Sequence, residues 1–189
     1  DFSTGIFESG HRLLSTVQKF IYYTEIELLL NNDVKKALLR KEITKKGECE
    51  LNEQCVNISQ KFNRESDLEL HIDHFDLKIS SFHFEVILAN ILDNAFKFSD
   101  KGDKVIVEVK LDDSHLHIAV IDEGLGFGEF KLNEIDAFTQ FNREKMEQQG
   151  LGLGLIISKK LINFYEGELN ITNNKSKGSH VKLSFWLAE

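Results

Sequence analysis

Asn90, Asn94 and Lys97 stand at i, i+4 and i+7, so on a helix they share one face. Ile87, Leu88, Ile91, Leu92, Ala95 and Phe96 surround them. The result is a polar stripe cut into an apolar helix. Asn is a poor helix former, and a buried amide must find hydrogen-bond partners. One reading leaves these amides facing solvent or tying down a loop. The other makes them a carboxamide-lined site for a hydrated cation, with an ammonium beside it for phosphate. Magnesium suits the second reading, because it keeps its waters and accepts neutral oxygen ligands near phosphates.

Two glycine-rich stretches follow. Asp122-Glu123-Gly124-Leu125-Gly126-Phe127-Gly128 comes directly after an alternating apolar run. Glycines let a backbone turn sharply and approach a ligand. A carboxylate at a strand end only accepts, so it could take a hydrogen bond from an exocyclic amine such as that of adenine. A turn with a capping Asp is the plainer alternative. Gly150-Leu151-Gly152-Leu153-Gly154-Leu155 then leads into an apolar run. Backbone N–H groups at such a turn, with a helix N-terminus behind them, form an anion site. A flexible hinge is the alternative. The spacing matches neither G-x-x-x-x-G-K-[ST] nor G-x-G-x-x-G, which disfavours both of those nucleotide folds.

Periodicity supplies the elements that would position these residues. Leu13, Leu14, Val17, Phe20, Ile21 and Leu28 form a broad stripe within one long helix over 6–30, which calls for partner helices. Asp33 is expected to cap a short basic helix and Gly47 to stop it. That segment carries Lys35, Lys36, Arg40, Lys41, Lys45 and Lys46, read as a solvated face. Leu51, Cys55, Ile58 and Phe62 repeat at helical spacing. Leu68, Leu70 and Ile72 alternate with polar residues as in a half-buried strand. A helix is expected over 82–98. Val105 to Leu111 and Leu116 to Val120 predict a hairpin turning at Asp112-Asp113-Ser114. A helix from Gly154 to about Tyr165 and a closing hairpin around 173–178 complete the chain. The element order predicts an α+β fold, with helices on one face of a largely antiparallel sheet.

The chain has 189 residues and a formal charge of -8. Residues 1–65 hold ten acids and ten bases, so residues 66–189 carry the whole excess. A binder of nucleic-acid backbone would have the opposite sign, so nucleic acid is not an expected partner. No apolar run approaches the ~18 residues of a membrane span, and no membrane contact is expected. Cys49 and Cys55 match no common zinc spacing and cannot form a disulfide framework; they are read as reduced thiols of a cytoplasmic protein. The sequence begins at Asp1 and reads as a piece of something longer.

Taken in order, the motifs resemble the catalytic and ATP-binding domain of sensor histidine kinases. That domain sits in the wider group of type II topoisomerase, heat-shock-protein-90 and mismatch-repair ATPases. Asn90-Ile-Leu-Asp-Asn94-Ala-Phe-Lys97-Phe-Ser is similar to the N box and Asp122-Glu-Gly124-Leu-Gly126 to the G1 box. Phe138-Thr-Gln-Phe141-Asn-Arg143 is similar to the F box and Gly150-Leu-Gly152-Leu-Gly154-Leu to the G2 box. The likeness covers about residues 66–187. Glu8-Ser-Gly-His-Arg-Leu-Leu, with the stripe behind it, resembles the second helix of the family's dimerisation domain.

The resemblance implies a two-layer α/β sandwich of the Bergerat type with a mixed sheet, preceded by a long helix. It implies three regions: 1–32 from a dimerisation helix, 33–65 as a helical connection, and 66–189 as the ATP-binding domain. Asn94 would hold magnesium, with Asn90 close by, and Lys97 would contact phosphate. Asp122 would accept from the adenine amine beside Phe98, Gly124 and Gly126. Phe138 and Arg143 would belong to the lid. Gly150, Leu151, Gly152, Leu153, Gly154 and Leu155 would line the phosphates. Asn90, Asn94 and Lys97 would serve catalysis, which would move the ATP γ-phosphoryl group to a histidine. The parent would form a homodimer through its dimerisation helices, and a response regulator with a receiver domain would take the phosphoryl group on. The alternative is a module that binds ATP and signals by conformation without transfer.

The chain departs from the family pattern in places. It lacks Pro, and none of His11, His71, His74, His83, His115, His117 or His180 has the flanks of a phosphoacceptor. The acceptor is expected outside this chain. Phe98 stands where a Tyr is common, and Phe127-Gly128 replaces an apolar-Pro pair.

Overall fold

A computed structural model describes residues 2–126, 153–174 and 177–188. The first element, α1 (Phe2–Leu30), is a 29-residue helix. A short helix α2 (Asp33–Leu39) follows. Its N-cap is Asn32, whose side chain accepts from the Lys35 N–H at 3.0 Å. Asp33, expected as the cap, is instead the first helical residue, where its charge still favours the helix N-terminus. Gly47 does not stop this helix; it opens the next, α3 (Gly47–Lys61). A Cβ on Gly47 would lie 2.3 Å from the Phe75 ring, so glycine there reflects close packing.

The remaining elements are β1 (Leu68–His71), α4 (Ser81–Lys97), β2 (Val105–Leu111), β3 (His115–Asp122), α5 (Leu153–Phe164), β4 (Glu168–Asn173) and β5 (Ser179–Trp186). The strands form one mixed sheet in the order β1-β2-β3-β5-β4. Strands β1 and β2 run parallel, with Leu68 opposite Val105. Their connection passes through α4, as a parallel pair requires. The other pairings are antiparallel.

Alternation decides which face is covered. Leu116, Ile118, Val120 and Asp122 of β3 are buried, whereas His115, His117, Ala119 and Ile121 are half-buried on the other face. Helices α4 and α5 cover the first face and α3 packs on α4. The core joins Phe84, Ile87, Leu88, Ile91 and Leu92 of α4 with Val105, Val107, Leu161, Ile162 and Phe185. Burying each such side chain contributes about 1.5–3 kcal/mol. Cys55 lies fully inside this core, and burial pushes its thiol up to about 12.

The end of α1 lies against this unit. Ile26 is buried, the Tyr22 ring meets Phe82 edge-on at 5.9 Å, and Glu27 pairs with Lys160 of α5 at 2.6 Å. Ile6, Phe7, Leu13, Leu14, Val17, Phe20 and Ile21, by contrast, are exposed. Leu28, the last member of the predicted stripe, is exposed as well. The whole stripe therefore stays uncovered, and the helix packs on the domain through a different line of residues, Tyr22 and Ile26.

Candidate nucleotide site

Helix α4 begins at Ser80, whose side chain caps the His83 N–H at 3.3 Å. Its apolar stripe is buried, which leaves Asn90, Asn94 and Lys97 half-buried along a different line of the helix. Asn90 faces the start of α5. Its Oδ1 stands 2.8 Å from where a Cβ on Gly154 would be. Any larger residue at 154 would displace that amide, so the glycine lets the two helices meet. The first N–H groups of a helix have no partner within it and favour anions. The side chains of Leu153 and Leu155 are buried in the core, so only their backbone is suited to a ligand.

Lys97 ends α4. Burial holds its ammonium below the ordinary lysine value, opposed by Asp93 and reinforced by the positive charges of Lys19 and Lys61. Its Nζ lies 5.3 Å from the centroid of the Phe98 ring. A partly desolvated ammonium gains more from an anion than a fully hydrated one.

The Asp122 loop is bound to this same helix end. The Phe98 carbonyl accepts from the Leu125 N–H at 3.0 Å. A Cβ on Gly124 would lie 2.1 Å from that carbonyl oxygen, so only glycine permits the approach. Gly126 has φ +70°, a left-handed conformation that glycine adopts without strain. Asp122 is 4% exposed. Its Oδ1 accepts from the N–H groups of Gly124 at 2.9 Å and Ser179 at 3.2 Å, and its Oδ2 accepts from the Ser179 hydroxyl. A carboxylate has about four acceptor positions; among the described residues three are filled, which leaves one for a further donor.

Sequence reasoning missed Ser179 and Gly178. Gly178 has φ +90°, and a Cβ there would lie 1.9 Å from the Asp122 carbonyl oxygen. The Asn174 side chain also donates to that carbonyl at 3.2 Å. Thus the β4–β5 turn, in addition to the end of α4, braces the Asp122 loop. The only sequence signal was a Gly-Ser pair at a turn, 57 positions from its partner.

Two pairs of predicted residues are therefore brought together: Asn90 with Gly154, and Phe98 with the Asp122–Gly124 loop. Phe138, Arg143, Gly150, Leu151 and Gly152 lie outside the described residues. Among the described residues no group of three or more His, Cys, Asp or Glu is arranged to hold a metal ion. Any cation at this site would rest on the amide oxygens of α4 and on a bound anion. Among those residues, too, no helix is long and apolar enough to cross a membrane.

Residues 80–189 match the family model described as histidine kinase-, DNA gyrase B-, and HSP90-like ATPase. The sensor protein KdpD of Clostridium acetobutylicum is 26% identical over 184 residues, which is 95% of this chain and 20% of that protein. The signal transduction histidine-protein kinase ArlS of Staphylococcus aureus is 30% identical over 121 residues, or 63% of this chain and 27% of that one. The chain therefore spans well under a third of these relatives. Among solved structures, the mycobacterial sensor histidine kinase MprB superposes with a TM-score of 0.66 at 22% identity, covering 77% of this chain and 98% of that one. Full-length ShkA in complex with AMPPNP superposes with a TM-score of 0.71 at 20% identity, covering 100% of this chain and 39% of that one. These two structures share its fold.

Proposed function

Since the chain belongs to the histidine kinase-, DNA gyrase B- and HSP90-like ATPase family, we propose that it is the catalytic and ATP-binding domain of a sensor histidine kinase. Residues 66–189 form the ATP-binding unit, 33–65 the connection, and 1–32 part of a dimerisation helix. The observation that carries this reading is the convergence at Asp122. A buried acceptor, with one position left open among the described residues, is fixed to the end of the helix that bears Asn90, Asn94 and Lys97.

Each residue then has a role in binding or orientation. Asp122 accepts from the adenine amine, with the Phe98 ring nearby. Gly154 and the start of α5 receive phosphate through backbone N–H groups. Lys97 places a positive charge against the phosphates. Neutral amide oxygens beside an anion site suit a hard, hydrated cation, so Asn94, with Asn90 next to it, would hold magnesium. Bound there, magnesium would neutralise phosphate charge.

The acceptor is a histidine outside this chain. Its ring nitrogen forms a bond to the γ-phosphorus while the bond to the β–γ bridging oxygen breaks, and ADP leaves. Such transfers depend on positioning and electrostatic neutralisation. The exposed apolar stripe of α1 supports pairing with a second copy, and a response-regulator receiver domain is the next acceptor. A calorimetric titration tests the nucleotide reading. ATP should bind and GTP should bind far more weakly, because guanine presents a carbonyl where adenine presents its amine. Equal binding of the two, or of neither, would refute it.

A further inference from the structure

Arg64 lies behind the nucleotide site and is 4% exposed. It follows the turn that ends α3, where Asn63 has φ +53°. Its Nε donates to Asp67 Oδ2 at 2.7 Å. Its Nη1 donates to the Phe96 carbonyl at 2.9 Å, and to the carbonyl and hydroxyl of Ser99 at 3.0 and 2.9 Å. Its Nη2 donates to the Asp103 carbonyl at 2.7 Å. The guanidinium carbon also stands 5.2 Å from the centroid of the Phe96 ring. The Arg64 hydrogen bond, followed by the Gly102 N–H at 2.9 Å, holds the Asp67 carboxyl below the usual carboxylate range.

The last carbonyls of a helix need partners from outside it. Often a left-handed glycine just past the end supplies the geometry. Helix α4 ends instead at Phe98 with φ -101° and no such glycine. A guanidinium from a distant segment collects the Phe96 and Ser99 carbonyls instead. The same segment is tied on its far side: Asp103 pairs with Lys177 of the β4–β5 turn at 2.9 Å. That turn leads into Ser179, which holds Asp122. Asp122 holds Gly124, and the next residue, Leu125, donates to Phe98. The contacts close into a ring with Arg64 at its hub.

We propose that Arg64 is a positioning residue of the nucleotide site, fixing residues 96–103 so that Lys97 and Phe98 keep their place against the Asp122 loop. The inference rests on the nucleotide-site reading above. Arginine is needed because its planar fork meets several acceptors at once, whereas an ammonium is a single point charge.

Arg64→Lys retains the charge opposite Asp67 and loses the fork. ATP affinity of the folded variant should fall about tenfold or more. Leu51→Ala, a core truncation in α3 away from the site, should lower the melting temperature and leave ATP affinity within twofold. Asp122→Asn is measured alongside. If Asp122→Asn loses ATP and Arg64→Lys does not, Arg64 is structural only and the inference falls. If Asp122→Asn also binds normally, the site reading itself falls. A measurement on the unsubstituted protein serves should Arg64→Lys not fold. ATP should slow amide hydrogen exchange in residues 99–103, which lie behind the site, as well as in 122–126. Protection confined to 122–126 would overturn the proposal.

Discussion

Asp122→Asn separates recognition from folding, because the structure shows what the carboxylate already does inside the chain. Its Oδ1 accepts two backbone N–H groups and its Oδ2 accepts the Ser179 hydroxyl. An Asn can keep its oxygen at the Oδ1 position and satisfy both N–H groups. Its amide nitrogen then faces the Ser179 hydroxyl, which can turn and accept. The internal network survives, and the melting temperature should fall by only a few degrees. The open position, however, changes from acceptor to donor and opposes the adenine amine. Losing a hydrogen bond to a charged group and leaving both donors unpaired should reduce binding by about 2–3 kcal/mol, roughly 30- to 150-fold in affinity. Asp122→Ala is the contrasting case. It strands two buried N–H groups at about 1–3 kcal/mol each, a large share of the roughly 5–15 kcal/mol that holds a domain together. Calorimetry with ATP and a thermal melt on each variant provide the two readouts. ATP binding within a factor of three of the parent in folded Asp122→Asn would refute the placement of adenine. So would a collapse in stability equal to that of Asp122→Ala.

Three further outcomes are expected. Gly154→Ala places a methyl group 2.8 Å from Asn90 Oδ1; the amide can swing away, so stability should change little while ATP affinity falls several-fold, as a melt paired with a titration would show. Asn94→Ala should weaken ATP binding only when magnesium is present, and Lys97→Ala should weaken it with magnesium or with a chelator, so equal losses for Asn94→Ala in both conditions would remove it as the metal ligand. Burial lowers the value of His83, whose Nδ1 meets the Tyr165 hydroxyl at 2.7 Å. The folded state therefore disfavours the charged ring. Its contribution is complete above the ordinary histidine value near 6.5 and is lost as pH falls through the depressed value. The melting temperature should drop below about pH 6.5, and His83→Gln should flatten that acid limb; an unchanged slope would assign it elsewhere.

Much of the fold was legible because burial imposes a period. The stripe from Ile87 to Phe96 marked α4, and alternation through Val105–Leu111 and Leu116–Val120 marked the β2–β3 hairpin. The parallel pairing of β1 with β2 was not legible, since a single alternating run at Leu68–Ile72 does not name its neighbour. Local competition misled at Asn32, where two adjacent residues could both cap and only the backbone decides. That Asn90, Asp122 and Gly154 belong to motifs worth placing together was legible because each lies in a dense local pattern; their roles at the site remain a proposal. Ser179 and Arg64 were not legible. Their partners are 57 and 32 positions away, and a lone Ser or Arg has no pattern until the chain is folded. The names Leu153 and Leu155 belonged to a motif, but their side chains serve the core.

Transfer of labelled phosphate from ATP tests the central claim most directly. The chain is incubated with ATP labelled at the γ-phosphoryl group, magnesium, and a separately supplied acceptor helix pair from the parent protein. An acid-labile, base-stable phosphoryl group should appear on a histidine of the added segment and on none of the chain's own. It should vanish with Asn94→Ala. ATP binding without any histidyl label on the added segment, or stable label on one of the chain's own histidines, would contradict the account.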